Sequence, residues 1–241
     1  MRRGVAWIRL ARPATGNRLD AELQTALADA CATASARDDV SVIVLAAQGA
    51  MFCSGLPVGL AWTPAEWPDA VGAVAGLTKP VIAVIGGEAR GWGVALALAC
   101  DLRIASRAAR FVLPETHSGL LPGGGVTQRL TRMVGPARAL ELLLVRPRLT
   151  AAEAVSWGVV QAVVSPTSLD AAATRLAKRV AARGPIALRF AKEAVTRALD
   201  LPLDDGMRLE HDLYALLQTT SDRREGIGAF LARRAPRFHA R

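Results

Sequence analysis

Glu115 is equipped for proton transfer. It closes the segment Phe111-Val112-Leu113-Pro114-Glu115, directly after apolar sequence and directly before Thr116 and His117. A carboxylate held in such a turn can take a proton from carbon and return it, most efficiently when its pKa lies near the working pH. Taken alone, the same glutamate is also what a solvated loop residue looks like. His117 offers a second titratable group, although a lone histidine is more often a packed or surface residue. Three glycine-bearing turns carry the other chemical signal: Phe52-Cys53-Ser54-Gly55-Leu56, Gly91-Trp92-Gly93 and Leu120-Leu121-Pro122-Gly123-Gly124-Gly125. Glycine lets the backbone approach a ligand, and N–H groups that open a helix are natural donors to a negative oxygen. None fits a dinucleotide or nucleotide-phosphate loop, because no G-x-G-x-x-G follows a strand and no Gly-Lys-Ser/Thr occurs. Ser54 with His117 and an aspartate raises the idea of a hydrolase, but no G-x-S-x-G elbow surrounds the serine and no triad order is evident.

Apolar patterning indicates which elements position these turns. Val5–Leu10 alternates as a strand, and Asp20 is placed to cap a helix running to about Ala34. Val40–Ala47 and Val81–Ile85, the latter opened by Pro80, are continuous β-branched runs of the kind buried on both sheet faces. A loop with Gly49, Gly55, Pro57 and Gly59 lies between them, and Glu66–Leu77 reads as a helix. The spacing predicts a helix from about Gly91 to Ala99 and a short strand over Leu102–Ala105, with Asp101 as a hydrogen-bonding residue at the strand entrance. This order of strand and helix predicts an α/β architecture with largely parallel pairing. Beyond the Gly123–Gly125 run the helical periods are Val126–Val134, Ala137–Leu144, Ala151–Trp157 and Leu169–Ala182, with one strand at Val159–Val164. From Pro185 only helices remain, ending near Arg234, so an α/β core over 1–185 and a helical C-terminal region over 186–241 are expected.

Composition narrows the class. Half of the 241 residues are hydrophobic, enough for a sizeable core, and the net charge of +9 is almost all arginine, with Lys79, Lys178 and Lys192 the only lysines. The arginines are scattered, with no basic arm and no aromatic-rich basic strand, so nucleic-acid binding is not expected. A diffuse positive field instead suits an anionic substrate. Cys31, Cys53 and Cys100 are widely spaced in apolar sequence and form no metal-type pair, which reads as reduced, core-located cysteines in a cytoplasmic protein. Arg9 and Arg12 interrupt the N-terminal apolar stretch, so no signal peptide is expected, and the uncharged run Trp92–Cys100 is far too short for a membrane span.

Taken in order, the motifs resemble the crotonase, or enoyl-CoA hydratase/isomerase, family. Phe52-Cys53-Ser54-Gly55 is similar to its F-C-A-G turn, and Ala89 through Ala105, with Cys100-Asp101-Leu102-Arg103-Ile104-Ala105, to its glycine-started helix and following strand. Phe111–Glu115, Gly119–Gly125 and Thr127-Gln128-Arg129-Leu130 match its most recognisable block. Ser221-Asp222-Arg223-Arg224-Glu225-Gly226 and Phe230-Leu231 fit its C-terminal helix, so the resemblance spans about Val5 to Phe238.

The resemblance implies a ββα spiral core with a helical C-terminal trimerisation region, hence a homotrimer or hexamer. It further implies a substrate that is an acyl-CoA thioester, with coenzyme A entering only as part of that substrate and no metal. By position, the N–H groups of Leu56 and Trp92 would grip the thioester oxygen, a preorganised pair in which one donor is worth about 2.7–4 kcal/mol. Ser54, Gly55, Gly91 and Pro114 would line the same site, Arg18 and Leu19 would border the adenosine moiety, and Arg233, one turn beyond the substrate-binding Phe230, would reach the coenzyme of a neighbouring subunit. Three departures stand out: Trp92 replaces a usual glycine, Pro57 a common acidic residue, and Ala95 the first of two glutamates in the hydratase pattern. Loss of one acid/base group typically lowers a rate by about 10²–10⁴-fold. The remaining carboxylate, Glu115, suffices to carry a proton between two carbons of an enoyl thioester, so isomerisation is expected over hydration. A silent acyl-CoA-binding member and a weak hydratase are the alternatives.

Overall fold

The computed structural model describes residues 4–57 and 69–240. It is a mixed α/β fold in which two sheets are threaded alternately by the chain. In order, the first elements are β1 (Gly4–Leu10), α1 (Ala21–Ala36), β2 (Val40–Ala47), β3 (Met51–Cys53), α2 (Ala70–Ala75), β4 (Val81–Ile85), β5 (Glu88–Arg90) and α3 (Trp92–Ala99). Next come β6 (Leu102–Ser106), β7 (Arg110–Val112), α4 (Val126–Val134), α5 (Pro136–Leu140), β8 (Arg148–Thr150), α6 (Ala151–Ser156) and β9 (Ala162–Val164). The chain closes with α7 (Leu169–Ala181), α8 (Pro185–Arg197), α9 (Leu203–Gln218) and α10 (Ser221–Leu231).

The larger sheet has the order β1-β2-β4-β6-β9 and is parallel throughout. Its central strands are apolar on both faces because both are covered. Val42, Val44 and Ala46 of β2 join Ile82 and Val84 of β4 against Leu169, Ala173 and Ala177 of α7. The alternate residues Ile43, Leu45, Val81, Ala83 and Ile85 face the main core with α1, α2 and α3. The smaller sheet, order β3-β5-β7-β8, is parallel except for the antiparallel pair β7–β8.

This second sheet is the chief correction to the sequence-based expectation. Its four strands are three residues each, and they fall in stretches expected to be turns or loops. Three residues complete barely one period of alternation, so no pattern announces them. The helix expected over Ala137–Leu144 is α5 continued by a π-helical turn, Glu141–Val145, and the strand expected over Val159–Val164 begins only at Ala162. Gln161 instead pairs with the neighbouring strand, its N–H donating to Arg103 O at 3.0 Å and its side-chain Oε1 accepting from Arg103 N at 2.6 Å. Of the helix expected over Glu66–Leu77, positions 66–68 lie outside the described residues, as does the loop glycine Gly59. Asp69 caps α2, accepting from Gly72 N at 2.8 Å. The last helix stops at Leu231 rather than near Arg234: Arg233 turns left-handed at φ 52°, with Arg233 N donating to Phe230 O and Arg234 N to Ala229 O, a Schellman closure.

Two polar anchors tie these layers together. Asp101 Oδ2 accepts from Val81 N at 2.7 Å and from Lys192 Nζ of α8 at 2.7 Å, while Asp101 N donates to Val81 O. Arg103, only 3 % exposed, donates to the carbonyl oxygens of Val159, Ala97 and Asp101, at 2.6, 3.2 and 3.2 Å. A buried guanidinium is tolerated there because backbone oxygens at and just beyond the C-terminal end of α3 supply the missing solvation.

Candidate active site

The Phe52–Leu56 turn is built so that nothing but glycine can stand at its apex. Gly55 has φ +82°, and a methyl group there would lie 2.8 Å from Arg90 O and 3.3 Å from Trp92 N. The turn therefore rests directly on the start of α3. From the other side Ser54 N donates to Gly16 O and Leu19 N to Gly55 O, both at 2.9 Å, and Ser54 Oγ reaches Thr15 O at 3.3 Å. Asn17, fully buried in a left-handed turn, locks that support by donating to Gln48 O and Met51 O. Leu19 is 0 % exposed and packs in the core, so it holds the turn through its backbone and side chain, while Arg18 stands exposed beside it. The Ser54 hydroxyl is thus engaged with a carbonyl.

α3 opens on Gly91 (φ 52°, ψ −116°), whose N–H donates to Val112 O at 2.8 Å. Its second residue, Gly93, presses on β3, since a methyl there would come within 2.2 Å of Cys53 O. The helix N-terminus, the positive end of its dipole, is in this way fixed against the Gly55 turn. Leu56, half-buried, packs against the core at the same place.

Glu115 arrives from β7 through Leu113, whose N–H is held by Pro147 O, and through Pro114. Its backbone oxygen accepts from Ser118 N and Leu120 N, closing the short 3-10 turn Thr116–Ser118. Its carboxylate lies against the α3 entrance: a methyl group on Gly91 would sit 2.4 Å from Oε1. The other oxygen, Oε2, is buried with no hydrogen-bond partner. Burial pushes the carboxyl above its ordinary pKa, opposed by its own backbone N–H and by the Arg90 charge. A carboxylate whose desolvation outweighs the donors around it is a competent base, because accepting a proton relieves that desolvation. His117 is exposed, with Nδ1 3.5 Å from Thr116 Oγ1.

The adjoining wall, along α3, is apolar. The indole of Trp92 lies on the glycine run, where a methyl on Gly123 would meet its Cζ2 and Nε1 at 2.8 Å and one on Gly124 its Cε3 at 3.2 Å. Ala95 is 0 % exposed, and its methyl would meet that same Gly124 substituent at 2.7 Å. Arg129 Nη1 braces the run by donating to Gly124 O at 2.7 Å.

The fold thus gathers Ser54, Gly55, Leu56, Gly91, Trp92, Pro114 and Glu115, with Arg18 and Leu19 at one edge. It does not bring Phe230 and Arg233 to them by any hydrogen bond or ion pair among the described residues, and the Phe230 ring is 83 % exposed. Sequence reasoning gave no role to Arg90, whose charge acts on Glu115 while it pairs with Glu88 at 2.9 Å. Nor did it foresee that the Gly123–Gly125 run seats the Trp92 ring; the paired glycines were the available signal. The three cysteines are free and buried, with the Cys53 and Cys100 thiols pushed up to about 12 by burial, which removes them from the chemistry. Among the described residues no group of His, Cys, Asp and Glu could hold a metal, and no helix is long and apolar enough to cross a membrane.

This geometry has relatives. A family model described as enoyl-CoA hydratase/isomerase matches residues 1–241. A probable enoyl-CoA hydratase of Rhizobium meliloti is 40% identical over 244 residues, covering 98% of this chain and 95% of that protein. The (E)-benzylidenesuccinyl-CoA hydratase of Thauera aromatica is 37% identical over 243 residues, covering 97% and 95%. Among solved structures, an enoyl-CoA hydratase from Bacillus anthracis superposes with a TM-score of 0.93 at 34% identity, covering 99% of this chain and 96% of that one.

Proposed function

The chain belongs to the enoyl-CoA hydratase/isomerase family, and within it we propose an isomerase that moves the double bond of an enoyl-CoA thioester, with Glu115 as sole proton carrier. The carrying observation is the pairing of Glu115, with its buried and partnerless Oε2, and a fully buried methyl at Ala95. Hydration needs water activated at one carbon and a proton delivered at the other. Isomerisation needs only one group that takes a proton and gives it back. The Rhizobium, Thauera and Bacillus relatives carry hydratase names, so the reading departs from those names on the ground of the acid/base set.

In this scheme the thioester oxygen of a 3-enoyl-CoA accepts from the N–H groups of Leu56 and Trp92. Glu115 removes a proton from carbon 2. The C–H electron pair becomes the new double bond between carbons 2 and 3, and the former 3,4 pair, delocalised with the thioester as a dienolate, takes the same proton back from Glu115 at carbon 4. Atoms and electrons balance with no cofactor beyond the substrate's own coenzyme A. Donors fixed before the charge develops need no reorganisation at that moment, which is why such pairs are effective.

The proposal includes a cytoplasmic homotrimer or hexamer. Supporting it, α8 has no buried residue and α9 only Leu213, while Leu203 and Met207 are 78 % and 61 % exposed. Helices this apolar and this uncovered in one chain fit burial against another copy, and light scattering in solution checks it. The reaction is tested by incubating wild type with 3-enoyl-CoA thioesters, monitoring conjugated 2-enoyl absorption and analysing products. Conjugated product without hydroxyacyl-CoA supports isomerisation, predominant hydroxyacyl-CoA overturns it in favour of a hydratase, and binding without turnover marks a silent acyl-CoA-binding member.

A further inference from the structure

The side chain of Trp92 has a consequence separate from its N–H. We propose that the indole is the specificity-determining wall of the acyl pocket, excluding substrates branched at the carbons next to the thioester. The inference rests on the reading that Leu56 and Trp92 hold the thioester oxygen. The ring begins three bonds from the N–H that holds this oxygen, at Cγ, which puts it within reach of the carbons bonded to the carbonyl. It also cannot swing away cheaply. Trp92 and Ala95 are three apart on α3 and share one face of the helix. That face meets Gly123 and Gly124, whose lack of side chains is what leaves room for the ring. Arg129 holds the glycine run in place through Gly124 O, and Gly93, next to the tryptophan, is pinned on Cys53 O. The ring is therefore clamped between a fixed helix start and a fixed turn. Glu115 stands against Gly91, the residue directly before Trp92. A straight acyl chain can run between the carboxylate and the ring, whereas a methyl branch at carbon 2 or 3 meets the ring.

The test uses saturated thioesters, which bind without being converted to another product: butyryl-CoA, isovaleryl-CoA and pivaloyl-CoA, titrated by calorimetry into wild type, Trp92→Phe and Trp92→Ala. The expected result is that wild type binds butyryl-CoA at least about tenfold more tightly than isovaleryl-CoA, which adds one methyl at carbon 3, a gap typical for one misplaced methyl group, and binds the doubly branched pivaloyl-CoA more weakly still. The butyryl-to-isovaleryl ratio falls about tenfold in Trp92→Ala and partway in Trp92→Phe. Equal affinities in wild type, or an unchanged ratio in a variant whose circular dichroism matches wild type, overturn the proposal. Should Trp92→Ala fail to fold, the wild-type ratio and Trp92→Phe decide. Absence of butyryl-CoA binding by wild type would instead overturn the underlying thioester-binding reading, so the two failures are told apart.

Discussion

Glu115→Gln exchanges an ionisable carboxyl for an amide of nearly the same shape at a position where one oxygen is buried with no donor to meet it. A buried group left unsatisfied typically costs about 1–3 kcal/mol, and an amide is cheaper to bury than an ion. Glu115 is only half-buried, so the lower end, about 1 kcal/mol in favour of the variant, is the reasonable figure, equivalent to about 2–4 °C in Tm for a chain of this size. The pH dependence has a definite sign. The carboxyl pKa is raised in the fold by desolvation, so there is a window in which the folded state still holds the proton and the unfolded state has lost it. Across that window the stability of wild type falls as pH rises; above the folded pKa the whole penalty is present, and below the ordinary carboxylate range it is absent. The variant should therefore melt above wild type at neutral pH and converge with it near about pH 4, the ordinary carboxylate range. Scanning calorimetry at matched protein concentration, from about pH 4 to about pH 8, measures this across that range. A variant less stable than wild type at neutral pH, or an offset constant with pH, would refute the idea that this carboxylate is kept for function at the expense of the fold.

Removing the Arg90 charge, as in Arg90→Met, should raise the Glu115 pKa further, because that charge lowers it; the acidic limb of kcat/KM against pH then moves to higher pH, and an unmoved limb contradicts the assignment. Gly55→Ala places a methyl 2.8 Å from Arg90 O at φ +82° and should displace both N–H donors, lowering kcat/KM at least about 10²-fold, the scale of one lost donor. Asp101→Ala leaves the Lys192 ammonium with Lys79 O but no carboxylate, and strands the Val81 N–H; it should lower stability by about 2 kcal/mol, read from the urea midpoint.

The long elements were legible because their patterns are long. Val40–Ala47 and Val81–Ile85 were recoverable residue for residue, since a strand covered on both faces must be apolar throughout. The Asp20 cap was legible for the same local reason, its carboxylate serving Leu23 N at 3.0 Å. The smaller sheet was not: its strands are too short to carry a period, and what makes them strands is pairing with residues far along the chain, as Met51 with Glu88 and Phe111 with Leu149. The site divides in the same way. Glycines at Gly55 and Gly91 could be singled out as required by the backbone, whereas the partnerless oxygen of Glu115 and the seating of Trp92 on Gly123 and Gly124 depend on which distant segments meet.

The most direct test of the central claim is enolate formation itself. Butyryl-CoA incubated with the protein in D2O, monitored by proton NMR, reports exchange at carbon 2 whatever the later fate of a natural substrate. Wild type is predicted to catalyse this exchange, and Glu115→Gln to slow it at least about 10²-fold. Equal exchange in both proteins would contradict Glu115 as the proton carrier, and no exchange by wild type despite binding would contradict the proposed enolate chemistry altogether.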